Sequence, residues 1–302
     1  MNTVITYSRY GGPEVLSVSE AAVPQPGPGQ VRIRVKAVAV NLIDAKVRSG
    51  RLDGVFPAQF PVLPGWDVAG VVDAAGEGAS AAAGDKVFGV ASVGGYSQYA
   101  LLDRPVPKPA ALSFEVAAAV VTVGEAAFRV LKHLELKAGQ TVLILGAGGS
   151  VGTIAAQLAV ARGSTVIGTA ADADLGRLAA LGVTPVRYGD GWTERVRAVA
   201  PAGVDAVFDA AGAGLLAEAI ALAGDPARVI TIADASAAEH GVRFSGQDPA
   251  DRAPEALSEL AELLADGRLT LPVWRAYPLA DAAAAHADLD AGRNHGKIIL
   301  LP

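Results

Sequence analysis

Seven residues near the middle of the chain, Gly146-Ala-Gly-Gly-Ser-Val-Gly152, carry the strongest chemical signal in this 302-residue sequence. Glycine recurs at 146, 149 and 152, and also as Gly146-x-Gly148 with Gly149 behind it. Either spacing leaves bare backbone where a side chain would keep a pyrophosphate away. The flanks complete the signal. Thr141-Val-Leu-Ile-Leu145 is a short continuous apolar run, and Val151, Ile154, Ala155, Leu158 and Ala159 then fall on one helical face. A helix beginning near Ser150 turns unpaired N–H groups and its positive dipole end toward phosphates. A tight strand–helix turn without a ligand is the alternative, but the strand before and the helix after are what a dinucleotide site requires. Gly146, Gly149, Ser150, Val151 and Gly152 are the expected phosphate contacts.

The choice of nicotinamide rests on the tip of the next strand. An NAD site places Asp or Glu about 20 residues past the glycines to hold the ribose 2′-OH. Here the tip reads Ile167-Gly168-Thr169-Ala170, with no carboxylate. Without that acid nothing repels a 2′-phosphate, so NADPH is the expected cofactor, with Thr169 and Ala170 beside it. Asp172 and Asp174 follow closely, and Arg177, the basic residue nearby, is an expected cofactor contact.

Composition narrows the classes. Lys plus Arg is 25 against 31 Asp plus Glu, a net charge of −6, which gives no footprint for nucleic acid. There are no cysteines, which excludes disulfides, thiolate zinc sites, iron–sulfur clusters and cysteine nucleophiles. The four histidines, 133, 240, 286 and 295, show no ligand spacing and read as surface or packing residues. The segment MNTVITYSRYGGPEV has no basic flank before an apolar core, and Val116–Val123 is far short of the roughly 20 residues of a membrane span. A cytoplasmic protein with no membrane partner is the expectation.

The elements that must position these residues differ along the chain. In the first hundred residues, Val31, Ile33, Val35 and Ala37 alternate with Arg32, Arg34 and Lys36, the period-2 pattern of a half-buried strand. Short strands at Val68–Val72, Lys86–Val90 and Tyr96–Leu101 predict a small barrel. The middle alternates apolar strands (141–145, 165–169, 204–208, 228–232) with helices (175–181, 215–222), which predicts a parallel sheet covered on both faces. A helix is expected over Pro254–Ala265, and the tail from Gly267 returns to short strands. The chain is expected to leave a first domain, build a second and come back, with divisions 1–112 plus 267–302 and 113–266.

Several segments, taken in order, resemble the zinc-free quinone oxidoreductase branch of the medium-chain dehydrogenase/reductase superfamily. They are GGPEVL (11–16), VRIRVKAVAVN (31–41), NLIDAKVRSG (41–50), PVLPGWDVAGVV (61–72), GDKVFG (84–89), GGYSQYALL (94–102), GEAAFRVL (124–131), GAGGSVGTIAAQLA (146–159) and HGKIIL (295–300). The resemblance implies an α/β protein in which a GroES-like β-barrel catalytic domain is interrupted by a Rossmann doubly wound parallel sheet. Zinc-dependent members carry a Cys and a His–Glu pair where this chain has Asn41, Trp66 and Asp67, a set that cannot make a zinc site.

For such a metal-free enzyme the resemblance implies hydride transfer from NADPH to a quinone or an α,β-unsaturated carbonyl, whose enolate oxygen needs hydrogen-bond donors and a proton. Asn41, Asp44 and Lys46 lie at the family's active-site edge. Asn41 would donate its amide to the carbonyl oxygen or a ribose hydroxyl, and Asp44 and Lys46 would orient or relay a proton. Ordinary readings stand beside these: Asp44 as a helix N-terminal carboxylate, Lys46 as a solvated charge. Relatives carry tyrosines at Lys46 and Leu52, Thr at Ala126 and Lys at Asp174. The resemblance also places Tyr188 and Arg293 near the 2′-phosphate, and Ala211 and Ala233 at ligand-binding strand ends. It implies a homodimer. Two other functions remain open from the sequence: an enoyl-thioester reductase of polyketide type, and a nucleotide-binding sensor with little catalysis.

Overall fold

A computed structural model describes residues 1–246 and 248–302. The chain forms two compact units, Met1–Thr122 with Leu257–Pro302, and Val123–Ala256. The division falls inside the 21-residue helix Phe114–Leu134, rather than in the turn before it.

The first unit is organised by the strand Val31–Val40. Val31, Ile33 and Val35 are buried while Arg34 and Lys36 face outward, as the alternation predicts. From Ala37 to Val40 every residue is buried. The reason is pairing on both sides: Val38, Ala39 and Val40 lie opposite Leu300, Ile299 and Ile298, and Ala39 also lies opposite Asp67. All pairings of this strand, with Asp67–Ala75, Tyr99–Leu102 and Lys297–Leu301, are antiparallel. This register brings Asn41, Asp67 and Lys297 to the same end of three adjacent strands. The short helix Leu42–Arg48 starts there.

The C-terminal tail differs from the expected run of strands. Between Val273–Pro278 and Lys297–Leu301 lies a helix, Ala282–Asp290. Its sequence Ala-Ala-Ala-Ala-His-Ala has high helix propensity, and Ala282, Ala285 and His286 face inward. The core joins Ile5, Tyr7, Val31, Ile33 and Leu102 with Tyr277, Ala285 and Ile298, so both ends of the chain share one interior.

The second unit is a six-stranded parallel sheet. Its spatial order is Thr184–Arg187, Thr165–Ala170, Thr141–Leu145, Ala206–Asp209, Val229–Thr231, Arg243–Phe244. In chain order this is 3-2-1-4-5-6, the doubly wound arrangement whose ligands bind at the reversal between the first and fourth strands. Four of these strands follow the sequence pattern to within a residue or two. Thr184–Arg187 contains Pro185, which is accommodated because this strand forms the sheet edge. Arg243–Phe244 is two residues long and has no readable pattern. Leu143, Leu145, Ile167, Val207 and Val229 pack with helix residues such as Val196, Leu216 and Ala219 in one core. Among the described residues, no helix is long and apolar enough to cross a membrane.

Candidate functional site

The glycine turn lies directly after the first strand of the parallel sheet, at the point of reversal. Gly146 has φ +78°, a conformation that favours glycine. Its N–H donates to Thr169 Oγ1 (3.1 Å) and Ala147 N–H donates to the Thr169 carbonyl (2.9 Å), so the buried Thr169 fastens the turn to the neighbouring strand. Gly149 caps the helix Ser150–Ala161, and the first helical bond runs from Thr153 N–H to the Gly149 carbonyl (2.8 Å). The N–H groups of Ser150, Val151 and Gly152 precede that bond and have no intrahelical acceptor.

The glycines do different work. A Cβ on Gly152 would stand 2.3 Å from the Gly146 carbonyl oxygen and 2.7 Å from Ala147 Cα, so Gly152 lets the helix close against the turn. A Cβ on Gly149 would meet only the Gly146 oxygen, at 3.4 Å. The space at Gly149 therefore opens away from the protein. It faces a cavity of about 780 Å³ lined by Gly146, Gly148, Gly149, Thr169, Ala170 and Ala211, with Tyr188 and Trp192 further round. A glycine-walled cradle under free N–H donors suits an anionic phosphate group.

Around the rest of the cavity, Tyr188 is 57% exposed. Arg177, an expected cofactor contact, engages the turn itself. Its guanidinium donates to the Gly148 carbonyl (2.8 Å), Asp174 Oδ1 (2.8 Å) and Thr153 Oγ1 (3.1 Å), so it braces the turn from behind. Asp209, the last residue of Ala206–Asp209, orders the far rim. Its carboxylate accepts from Ala211 N–H and Gly212 N–H (3.0 Å each) and from Thr231 Oγ1 (2.7 Å), while Ala233 N–H donates to Thr231 Oγ1 (3.1 Å). Ala211 lines the cavity; Ala233 stands behind Gly212, whose Cβ position would lie 2.6 Å from the Ala233 carbonyl oxygen. Arg293 belongs to the other unit, where its guanidinium pairs with Asp288.

A second polar constellation is buried in the first unit. Asn41 Nδ2 donates to Asp67 Oδ2 (2.8 Å), and Lys297 Nζ donates to Asn41 Oδ1 and to the Val40 carbonyl (3.2 Å). Asp67 also accepts from Thr122 Oγ1 (2.7 Å) and Thr122 N–H (3.0 Å). Burial pushes Asp67 up and Lys297 down, each toward its neutral form, while their opposite charges resist both shifts. Three donors on Asp67 and two carbonyl acceptors on Lys297 match the ionised pair.

Asp44 enters from the helix. Its Oδ2 accepts from Asn41 N–H (2.8 Å), half of a capping box with the Asn41 side chain, and from the Tyr96 hydroxyl (3.2 Å). Its Oδ1 is buried without a partner. Burial raises the Asp44 carboxyl to about 7; the Asn41 N–H opposes the rise and the Asp67 charge adds to it. The Tyr96 hydroxyl also meets His286 Nε2 (2.9 Å), and His286 Nδ1 meets Arg48 Nη1 (2.8 Å). Because a guanidinium only donates, His286 accepts at Nδ1 and carries its proton on Nε2. Burial, reinforced by the Arg48 charge, holds His286 down to about 3, so it is neutral. Arg48 closes the chain on Asp290 (2.6 Å) and on the Gly11 carbonyl (3.2 Å). The structure brings the expected Asn41 and Asp44 together and adds Lys297, Tyr96, Arg48 and His286, which the sequence did not mark. Lys297 lies in the segment HGKIIL (295–300), yet nothing local marks it as buried.

Lys46 is not part of this constellation. It turns to the other side of its helix, onto a separate cavity of about 370 Å³ lined also by Leu42, Arg48 and Arg51. The donors do not fit zinc either. Asn41 and Asp67 are bonded to each other, and an ammonium occupies the position beside Asn41 where it would repel a cation.

Comparison with known proteins agrees with this architecture. Residues 27–105 match the alcohol dehydrogenase GroES-like domain family and residues 181–300 the zinc-binding dehydrogenase family. A quinone oxidoreductase of Lama guanicoe is 34% identical, covering 98% of this chain and 96% of its own. Quinone oxidoreductase 1 of Escherichia coli is 30% identical over the whole of both chains. The crystal structure of the Escherichia coli quinone oxidoreductase complexed with NADPH superposes with a TM-score of 0.87 at 27% identity, over 99% of this chain and 100% of that one. The chain belongs to the quinone oxidoreductase branch of the medium-chain dehydrogenase/reductase superfamily, with its GroES-like unit and its Rossmann-like parallel sheet.

Proposed function

We propose that this protein is an NADPH-dependent, zinc-independent oxidoreductase that reduces quinones or other α,β-unsaturated carbonyls. The observation that carries the reading is the open cradle at Gly149, which sits at the reversal of a 3-2-1-4-5-6 sheet and leaves backbone donors free. The unit Val123–Ala256 would hold the nucleotide and the unit Met1–Thr122 with Leu257–Pro302 the acceptor. The N–H groups of Ser150, Val151 and Gly152 would hold the pyrophosphate, with Gly146 and Gly149 leaving room for it. Thr169, Ala170 and Tyr188 flank the adenosine side, and Ala211 lines the strand ends. NADPH supplies the hydride when bound.

The chain's own residues act on the acceptor. Asn41 offers an amide N–H to the carbonyl oxygen, where negative charge accumulates as the double bond is reduced. Asp44, which accepts from the backbone N–H of the same Asn41, is the carboxyl of this constellation that holds a proton near neutrality. A quinone or enone is already electron-poor, so donors and position suffice where an alcohol would need a Lewis acid.

A Gly149→Leu variant tests the reading. The fold should persist, with a melting temperature within about 2 °C, because only one atom lies near the added Cβ. NADPH affinity should fall at least 100-fold by fluorescence titration, and NADPH oxidation by 1,4-benzoquinone should vanish. A variant that binds NADPH normally overturns the site. Preference of the wild type for enoyl thioesters would reassign the acceptor, and a chelator-sensitive oxidation of primary alcohols would overturn the zinc-independent chemistry.

A further inference from the structure

Lys297 is a charged group of the buried constellation to which the reaction above gives no task. It is only 3% exposed, on the last strand, and both acceptors of its ammonium are carbonyl oxygens. One of them belongs to Asn41. A carboxamide can be flipped by 180° with little change in shape, and only its partners decide which end is the donor. Here both partners agree. Lys297 requires the oxygen on its side, and the Asp67 carboxylate, held by Thr122, requires the NH2 on the other. The flipped amide would put N–H groups against an ammonium and an oxygen against a carboxylate. Of the two hydrogens on Asn41 Nδ2, one goes to Asp67, and the second has no acceptor among the described residues.

We propose that Lys297 is a positioning residue of the acceptor site: its ammonium fixes the orientation of the Asn41 carboxamide and polarises it, so that the unused amide N–H donates to the carbonyl oxygen of the quinone or enone. This inference rests on the reduction proposed above and names what makes Asn41 an effective donor. Drawing electron density from the amide oxygen strengthens the N–H as a donor, and the effect is greatest in a buried, water-poor setting. No bond to Lys297 or Asn41 forms or breaks. Hydride adds to the acceptor carbon, the displaced π pair moves to the oxygen, and Asn41 holds that oxygen until a proton arrives.

Lys297 also governs the remaining charges. The groups facing Asp44 are Asp67 from the neighbouring strand, Lys297 from the last strand, Tyr96 from the loop before Tyr99–Leu102, and Asn41 from its own helix cap; Arg48 and His286 stand behind Tyr96. One ammonium serves two carboxyl groups. Asp67 uses it with three donors, so Asp44 is the one that takes up a proton, and losing Lys297 must make that proton harder to remove.

The experiment compares full-length wild type with Lys297→Met and Lys297→Arg. With NADPH and either 1,4-benzoquinone or 2-cyclohexenone, Lys297→Met should lower kcat on the order of 30-fold while the NADPH Kd changes less than twofold. Lys297→Arg should recover most of the loss. Independently of turnover, the protonated-carboxyl infrared band of Asp44, assigned by its disappearance in Asp44→Asn, should persist to higher pH in Lys297→Met than in wild type. A folded Lys297→Met with kcat within twofold of wild type and an unmoved band overturns the inference. So does equal loss in the Met and Arg variants. If Lys297→Met does not fold, Asn41→Leu decides: the inference requires the same order of kcat loss at unchanged NADPH affinity, and a kcat within threefold of wild type overturns it. A wild type that binds NADPH but reduces neither acceptor defeats the proposed reaction itself, an outcome distinct from any variant result.

Discussion

At the turn 146–152 the groups offered to a ligand are backbone N–H donors from a few consecutive residues, whereas the polar groups gathered around Asn41 are side chains drawn from six separate stretches of chain. Both regions handle charge, but with different vulnerabilities. The turn depends on what is missing: Gly152 and Gly149 matter because no Cβ stands there. The buried constellation depends on what is present, since each of its side chains satisfies another. A site of the first kind fails by crowding, and a site of the second kind by losing one member and leaving the rest unpaired in a dry interior.

The sharpest way to break this contrast is to crowd the turn where it has no room. Gly152→Val sets a Cβ 2.3 Å from the Gly146 oxygen and forces the backbone apart. We expect at least a 100-fold loss of NADPH affinity together with a stability loss of about 3 kcal/mol in urea unfolding. Gly149→Leu should show the first without the second. If the two variants behave alike, the distinction between a packing glycine and a ligand-facing glycine is wrong.

The constellation is probed by pH. Asp44 is raised from 3.8 to about 7 in the folded protein, so between those values the folded state holds a proton that the unfolded chain has released. Stability from this group is therefore full below about pH 4 and lost as pH rises to about 7. His286 runs the other way: lowered from 6.5 to about 3, it stays neutral while the unfolded chain protonates, so its effect makes stability rise with pH across that window. The two slopes oppose each other in wild type. Asp44→Asn should gain stability relative to wild type with rising pH, by about 1.4 kcal/mol per unit at most between pH 4 and 7, and level off above. Urea midpoints at half-unit intervals measure this. A flat difference would mean that Asp44 is ionised in the fold and the charge assignment is wrong.

The smallest expected effect lies at the rim of the nucleotide cavity. Asp174 shares Arg177 with the Gly148 carbonyl and Thr153, and its own carboxylate lines the cavity. Asp174→Asn removes a negative charge and frees part of the guanidinium. NADPH affinity should improve about threefold at low salt, with a smaller change for NADH and less of either at high salt. No change in the NADPH-to-NADH ratio would place the 2′-phosphate away from this rim.

How much of this could be read beforehand depends on how local each feature is. The strand Thr141–Leu145, the glycine turn and the helix from Ser150 are contiguous, and their apolar periodicity survives without tertiary context. Thr184–Arg187 and Arg243–Phe244 were not legible, because short edge strands carry little hydrophobic pattern. The helix Ala282–Asp290 was hidden in a run of alanines that fits no amphipathic template. In the site, Asn41 and Asp44 were recognisable three residues apart. Arg177 was legible as the basic residue beside Asp174, but its bonds to Gly148 and Thr153, more than twenty residues upstream, were not.

The sequence alone determined the alternation of strands and helices, the glycine spacing and the absence of thiols, all consequences of covalent order and local periodicity. Only the tertiary structure decided which polar residues share an interior. Antiparallel register set Lys297, Asn41 and Asp67 at one strand end, and the returning C-terminal helix set His286 against Tyr96 and Arg48. Charge states in that interior follow from desolvation and neighbours, and both exist only once distant segments have packed together.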